Sequence, residues 1–157
     1  MNMKRGLMIL SLGAAVALGG FGSGQAFFNS PLAANSHYRP INFGMGYEMY
    51  VDLSSLETVK DDGQGRIFKV NLFRSPEDSG NIEGTYTLTY KVAHGQAWLY
   101  NDSTHSWQEI PMRKKEIKHN QIADFVAVNL CYKQKTGQYL NDDYGYAKGM
   151  ERYYKGE

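Results

Sequence analysis

Residues 85–101 read TYTLTYKVAHGQAWLYN, and the way this stretch alternates decides the fold class. Tyr86, Leu88, Tyr90 and Val92 fall on one side of an extended chain and Thr85, Thr87, Thr89 and Lys91 on the other, the two-residue period of a half-buried strand. His94-Gly95 interrupts the run and Ala97 to Tyr100 resumes it, which predicts two antiparallel strands around a tight turn. A lone hairpin is marginal in water. The rest of the chain must therefore supply further strands, or a helix, for its apolar side.

On the N-terminal side, Arg66 to Phe73 (RIFKVNLF) places Phe68, Val70 and Leu72 on one face and mixes Ile67 and Phe73 with Lys69 and Asn71 on the other. Asp61-Asp62-Gly63-Gln64-Gly65 precedes it as a turn, since glycine adopts positive φ without cost and aspartate tolerates it. Gly46 to Leu53 alternates Tyr47, Met49, Val51 and Leu53 against Glu48, Tyr50 and Asp52, a first strand that Ser54-Ser55 is expected to end. Arg74 to Gly84 is polar and reads as a mobile loop. On the C-terminal side, Asn101 to Ser106 is a turn cluster and Trp107 to Ile110 a short last strand stopped by Pro111. The period then changes: Ile122, Ala123, Phe125, Val126 and Leu130 share one sector of a helix over about Gln121 to Lys135, with Asn120 as cap and Gly137 as stop.

The expectation is one α+β domain: an antiparallel sheet of four or five strands with one helix near the C-terminus packed on it. Residues 27–44 contain Pro31 and Pro40 without a sustained period and read as a flexible leader, the domain itself as 45–137, and the Tyr- and Gly-rich 138–157 as a flexible tail. Residues 1–26 have the build of a secretory signal peptide: Lys4 and Arg5, an apolar centre from Met8 to Leu18, and small residues at Gly24 and Ala26 before a break. The stretch is glycine-rich and short for a bilayer crossing, so export with cleavage after Ala26 is expected and no stable membrane span thereafter.

Cleavage there leaves 131 of the 157 residues, enough for one domain, and takes the 17 basic residues to 15 against 16 acidic ones. That balance gives no field for nucleic acid or an anionic membrane. The single cysteine, Cys131, excludes an intrachain disulfide. On the helical wheel it falls beside Asp124 and Lys135, outside the main apolar sector, so partial exposure is expected; a free structural thiol and an intermolecular disulfide that would tie a homodimer are both open. With 12 Tyr, 7 Phe and 2 Trp, some rings must reach the surface.

No catalytic motif stands out. His37, His94, His105 and His119 form neither HExxH nor a zinc spacing with Cys131, Ser54 and Ser55 lack a GxSxG setting, and the glycines make no phosphate-binding fingerprint. Asp61-Asp62 and Asp142-Asp143 lack the staggered donors of a calcium loop. No catalytic residue, cofactor or metal is therefore assigned. The one concentrated feature is MRKKEIKH over 112–119, where Arg113, Lys114, Lys115 and Lys118 read either as a solvated approach to the helix or as a contact for an acidic partner surface.

YEMYVDLSSLE, RIFKVNLF, TYTLTYKVAHGQAWLY, WQEIP and a following helix with Cys131, over roughly 46–136, resemble the surface-adhesin protein E family. The resemblance implies an exported α+β protein that contacts host matrix or serum proteins and can dimerise. A strand-to-helix cysteine pair of that family has no counterpart, since Cys131 has no second cysteine. The functional expectation is a noncatalytic surface or periplasmic binding protein whose partner is a host-matrix or cell-envelope protein. A small exported hydrolase assembled from distant residues, and a structural cell-envelope protein, are the alternatives.

Overall fold

A computed structural model describes residues 30–142 and 145–155; the signal-peptide reading falls outside them. Six strands, β1 (Tyr38–Gly44), β2 (Tyr47–Asp61), β3 (Arg66–Pro76), β4 (Glu83–Ala93), β5 (Gln96–Asn101) and β6 (Ser106–Ile110), form one antiparallel sheet in sequence order. Two α-helices follow, α1 (Ile122–Thr136) and α2 (Tyr146–Lys155). The α+β class and the central hairpin are as expected, with Lys91 opposite Trp98 and Val92 opposite Ala97 around the His94-Gly95 turn.

The extra strand comes from the stretch read as a flexible leader. Tyr38 to Gly44 pairs with β2, and the preceding 3-10 turn Pro31–Ala34 lays Leu32, with Tyr38, against Tyr50 and Phe73 on the sheet's second face. The Tyr50 and Phe73 rings stack at 5.3 Å and Tyr38 meets Phe73 edge-on at 4.8 Å. That small apolar cluster, rather than any periodicity of the leader itself, holds the segment down. Glu48 is buried on the same face and accepts the Tyr50 hydroxyl proton at 2.7 Å.

Ser54-Ser55 does not end β2. The strand bulges between Asp52 and Glu57 and continues to Asp61. In the bulge Asp52 accepts from the Ser54 amide, and Ser55 Oγ accepts the Asn71 amide at 2.8 Å, replacing the ladder bond that the extra residues displace.

The main core lies on the other face. Opposed pairs Phe68–Tyr90, Val70–Leu88 and Leu72–Tyr86 carry the two alternating runs onto one side, where Val51, Phe68, Val70, Leu72, Tyr90 and Val92 are buried with Phe125, Val126 and Leu130 of α1. Tyr86, on the same side, stays 39% exposed. Every α1 residue from Phe125 to Cys131 is buried, a helix covered on more than one side.

The second cover is the stretch read as a flexible tail. Its α2 packs on α1 and β1, with Ala147 fully buried and the Tyr146 ring 6.2 Å from Phe125. Asn129, also fully buried, holds the connection by donating to Asn141 O at 3.2 Å and accepting from Asn141 N at 3.1 Å. Asp142 caps α2 by accepting from the amides of Ala147 and Lys148, a sufficient task for that carboxylate. Lys133 Nζ binds Glu151 at 2.5 Å and the Tyr139 hydroxyl at 3.0 Å.

This second layer also corrects the reading of Cys131, which is fully buried, its thiol pushed up to about 12 by desolvation. A bridge between two copies through it would require opening α1. We predict that the thiol stays silent to a soluble alkylating reagent near pH 8 and reacts only on unfolding. Phe125→Ala should cost roughly 3–5 kcal/mol in denaturant unfolding, and Asn129→Ala roughly 1–3 kcal/mol by stranding the Asn141 groups. Exposed Arg152→Ala should stay within about 0.5 kcal/mol of the parent.

Candidate interaction surface and clefts

The basic stretch lies between β6 and α1. Met112, buried, and Ile117, packed on the core, pin it at two points, and Lys114 opens a 3-10 turn to Glu116. Between and after those anchors Arg113, Lys115 and Lys118 are exposed. The ion pairs among the described residues are Lys60–Asp62, Arg66–Asp61 and Lys133–Glu151, none of which uses these cations. The Lys118 amide donates to Gln121 Oε1 at 3.1 Å, which fixes the approach to α1.

The strand β6 that leads into this stretch is part of an aromatic strip. Cross-strand register sets Lys91 opposite Trp98, Trp98 opposite Glu109 and Tyr100 opposite Trp107, all on the face turned away from α1. Lys91 Nζ lies 4.6 Å from the Trp98 ring centre and 5.4 Å from that of Trp107, while Tyr100 meets Trp107 edge-on at 5.2 Å. These rings are only half-buried. The 3-10 turn covers the second face at Tyr50 of β2 and Phe73 of β3. The sequence signal for the strip was present as the spacing of Trp98 and Tyr100, but Trp107 joins only through the β5–β6 register.

Two of the recesses among the described residues hold a histidine or a partly buried carboxylate. One, of about 220 Å³, lies where the 61–65 and 94–95 turns meet the end of α1 and is lined by Asp61, Arg66, His94, Tyr132 and Leu140. It brings His94 and an acid to one cleft, but Asp61 is already paired with Arg66 at 2.8 Å. Arg66 Cζ also sits 5.9 Å from the Tyr132 ring centre. His37, His105 and His119 are exposed elsewhere, and among the described residues no three His, Cys, Asp or Glu side chains could hold a metal ion.

The second recess, about 170 Å³, is lined by Gln108, Glu109, Asn120, Gln121 and Asp124 beside β6. Asp124 accepts the hydroxyl proton of fully buried Tyr90 at 3.0 Å. Burial raises the Asp124 carboxyl above its ordinary 3.8, the Tyr90 hydrogen bond opposing, and burial likewise pushes the Tyr90 phenol well up. The pair solves a packing problem: a buried phenol needs a partner, and the first turn of α1 supplies one.

Because the folded state holds the Asp124 proton more tightly than the unfolded chain, its contribution to stability is complete below pH 3.8 and lost as pH rises through the raised value. Asp124→Asn should flatten that part of the stability profile, measured by urea unfolding from about pH 4 to pH 7. No family model matches the chain, and no curated protein or solved structure matches it either.

Proposed function

We propose that this is an exported, noncatalytic binding protein of the cell surface or periplasm, similar in role to the surface adhesins, whose partner is a host-matrix or cell-envelope protein with an acidic surface. The observation that carries the reading is the aromatic strip. Trp98, Tyr100 and Trp107 are gathered under Lys91 on a sheet face and left half-exposed, a combination of rigid aromatic area and cation suited to a protein contact. Arg113, Lys114, Lys115 and Lys118 follow directly from β6 and add positive charge that steers an acidic surface into place.

The test is capture of partners from envelope and host-matrix extracts, followed by binding kinetics at low and high salt. Replacing Lys114, Lys115 and Lys118 together by Gln should slow association several-fold at low salt and remove most of its salt dependence, with thermal unfolding unchanged. Trp98→Ala should instead speed dissociation, roughly tenfold or more if it anchors the contact. A partner whose association ignores both the triple replacement and salt would sink the basic contact.

The His94 cleft supports a second reading, a small-ligand or hydrolytic site, because it joins a histidine, an acid and an arginine in one recess. His94 has φ +52, so His94→Asn respects the turn backbone. Under this reading that variant loses a small-molecule-induced rise in thermal midpoint, or a hydrolytic activity, that the parent shows.

A further inference from the structure

The β1–β2 hairpin ends in a feature that neither folding nor the contact surface above requires. Gly44 pairs with Tyr47, so the turn has two central residues, Met45 at φ +56 and Gly46 at φ +79, both left-handed. Asparagine, aspartate and glycine are the residues that such a turn favours at its first position. Methionine there is opposed by the backbone, and it is opposed again by solvation, since Met45 is fully exposed. Phe43, 50% exposed, and Tyr47, 37% exposed, flank it.

The neighbouring loop adds to the same end of the molecule. Glu77 N donates to Gly46 O at 3.0 Å, and Ile82, 46% exposed, stands just before Glu83, which pairs with Arg74. Four of the seven large apolar side chains left exposed among the described residues, Phe43, Met45, Tyr47 and Ile82, therefore gather where β2 begins and β3 ends. Scattered exposed apolar residues need no explanation, but a cluster on a protruding tip marks a contact.

What lies across from this tip is indicated by where the N-terminal chain joins the fold. Pro31 rests on Gly80, so close that a Cβ there would come within 3.0 Å of it, and Gly80 belongs to the loop that Glu77 ties to the hairpin. The chain before Ser30 thus joins at the hairpin end. After cleavage at Ala26 that chain is Phe27-Phe28-Asn29, two aromatic rings without a charge next to Ser30.

We infer that this end of the sheet rests on a lipid surface, with Phe43, Met45, Tyr47 and Ile82 in the boundary between headgroups and acyl chains. Exposed apolar side chains at a hairpin tip are accepted by a lipid interface without a matching pocket. Tyr47 carries Arg74 over its ring at 5.0 Å, an aromatic and a cation placed at headgroup level. The exposed carboxylates Glu77, Asp78 and Glu83 lie nearby, so the surface favoured is zwitterionic rather than anionic. β5 pairs with the far half of β4 and β6 pairs with β5, which leaves the aromatic strip away from the lipid. The inference does not depend on that strip having a partner.

The experiment uses the exported chain from Phe27 onward and phosphatidylcholine vesicles, with and without an anionic lipid. Cys131 is buried, so Met45→Cys provides one accessible thiol for an environment-sensitive fluorophore, and Val59→Cys, at an exposed site near the far end of β2, provides the control. The Met45 label should shift to the blue and brighten by about twofold or more on zwitterionic vesicles, and be quenched by lipid-borne quenchers, while the Val59 label stays in water. Met45→Asn should leave the thermal midpoint unchanged or higher, yet lower vesicle partitioning about fivefold. Failure to co-sediment with vesicles overturns the inference. So does co-sedimentation in which the Met45 label behaves like the Val59 label, since the N-terminal chain alone would then hold the protein. Binding confined to anionic vesicles overturns the choice of surface.

Discussion

The structure depends on burying α1 on two sides. Its residues from Phe125 to Cys131 are all inaccessible to water, which one sheet face cannot achieve for a helix. The sheet takes Phe125, Val126 and Leu130, and α2 with its connection completes the cover. The polar terms of that second layer, Asn129 with Asn141 and Lys133 with Glu151 and Tyr139, are local and directional, so they set where α2 lies rather than supply its burial. With Cys131 the single cysteine, no intrachain disulfide can make up a weak core, and this double cover lets the small domain stand on packing alone.

The sheet's other face is covered in two different ways. Over β2 and β3 the turn at 31–34 closes on Tyr50 and Phe73, leaving Glu48 buried but bonded to the Tyr50 hydroxyl. Over β4 to β6 the rings of Trp98, Tyr100 and Trp107 cover one another instead. Lys91 lies against the half-buried rings of Trp98 and Trp107 there. The residues with chemical potential are otherwise engaged: Asp61 by Arg66, Asp124 by Tyr90, Asp142 by the amides of α2, and Cys131 by burial.

The two ends of the long β2 strand differ in kind. At Asp61 the turn is polar, rich in glycine and ion-paired, in keeping with its local backbone needs. At Tyr47 the turn violates those needs by placing Met45 in a left-handed conformation in full exposure. Local preference and solvation both argue against methionine at that position.

The alternation of Tyr86 to Val92 and of Phe68 to Leu72, with the break at His94-Gly95 and the helical sector of Ile122 to Leu130, was legible in the residues alone because each element satisfies its own period. The positive charge of 113–118 was legible for the same reason. What sequence could not decide was everything that depends on a second surface. β1 contains Pro40 and has no clear period, and it became a strand because β2 offered an open edge and Tyr50 and Phe73 needed cover. α2 mixes tyrosine, glycine and charge, and it became a helix because Asp142 caps it and α1 still had a side to bury. Cys131 looked exposed on a wheel drawn for one buried face, and the strip at Lys91, Trp98 and Trp107 existed only once register set three strands side by side. A periodic segment carries its own evidence of which side is apolar, whereas a segment that serves as cover is defined by what it covers, and only the tertiary structure supplies that.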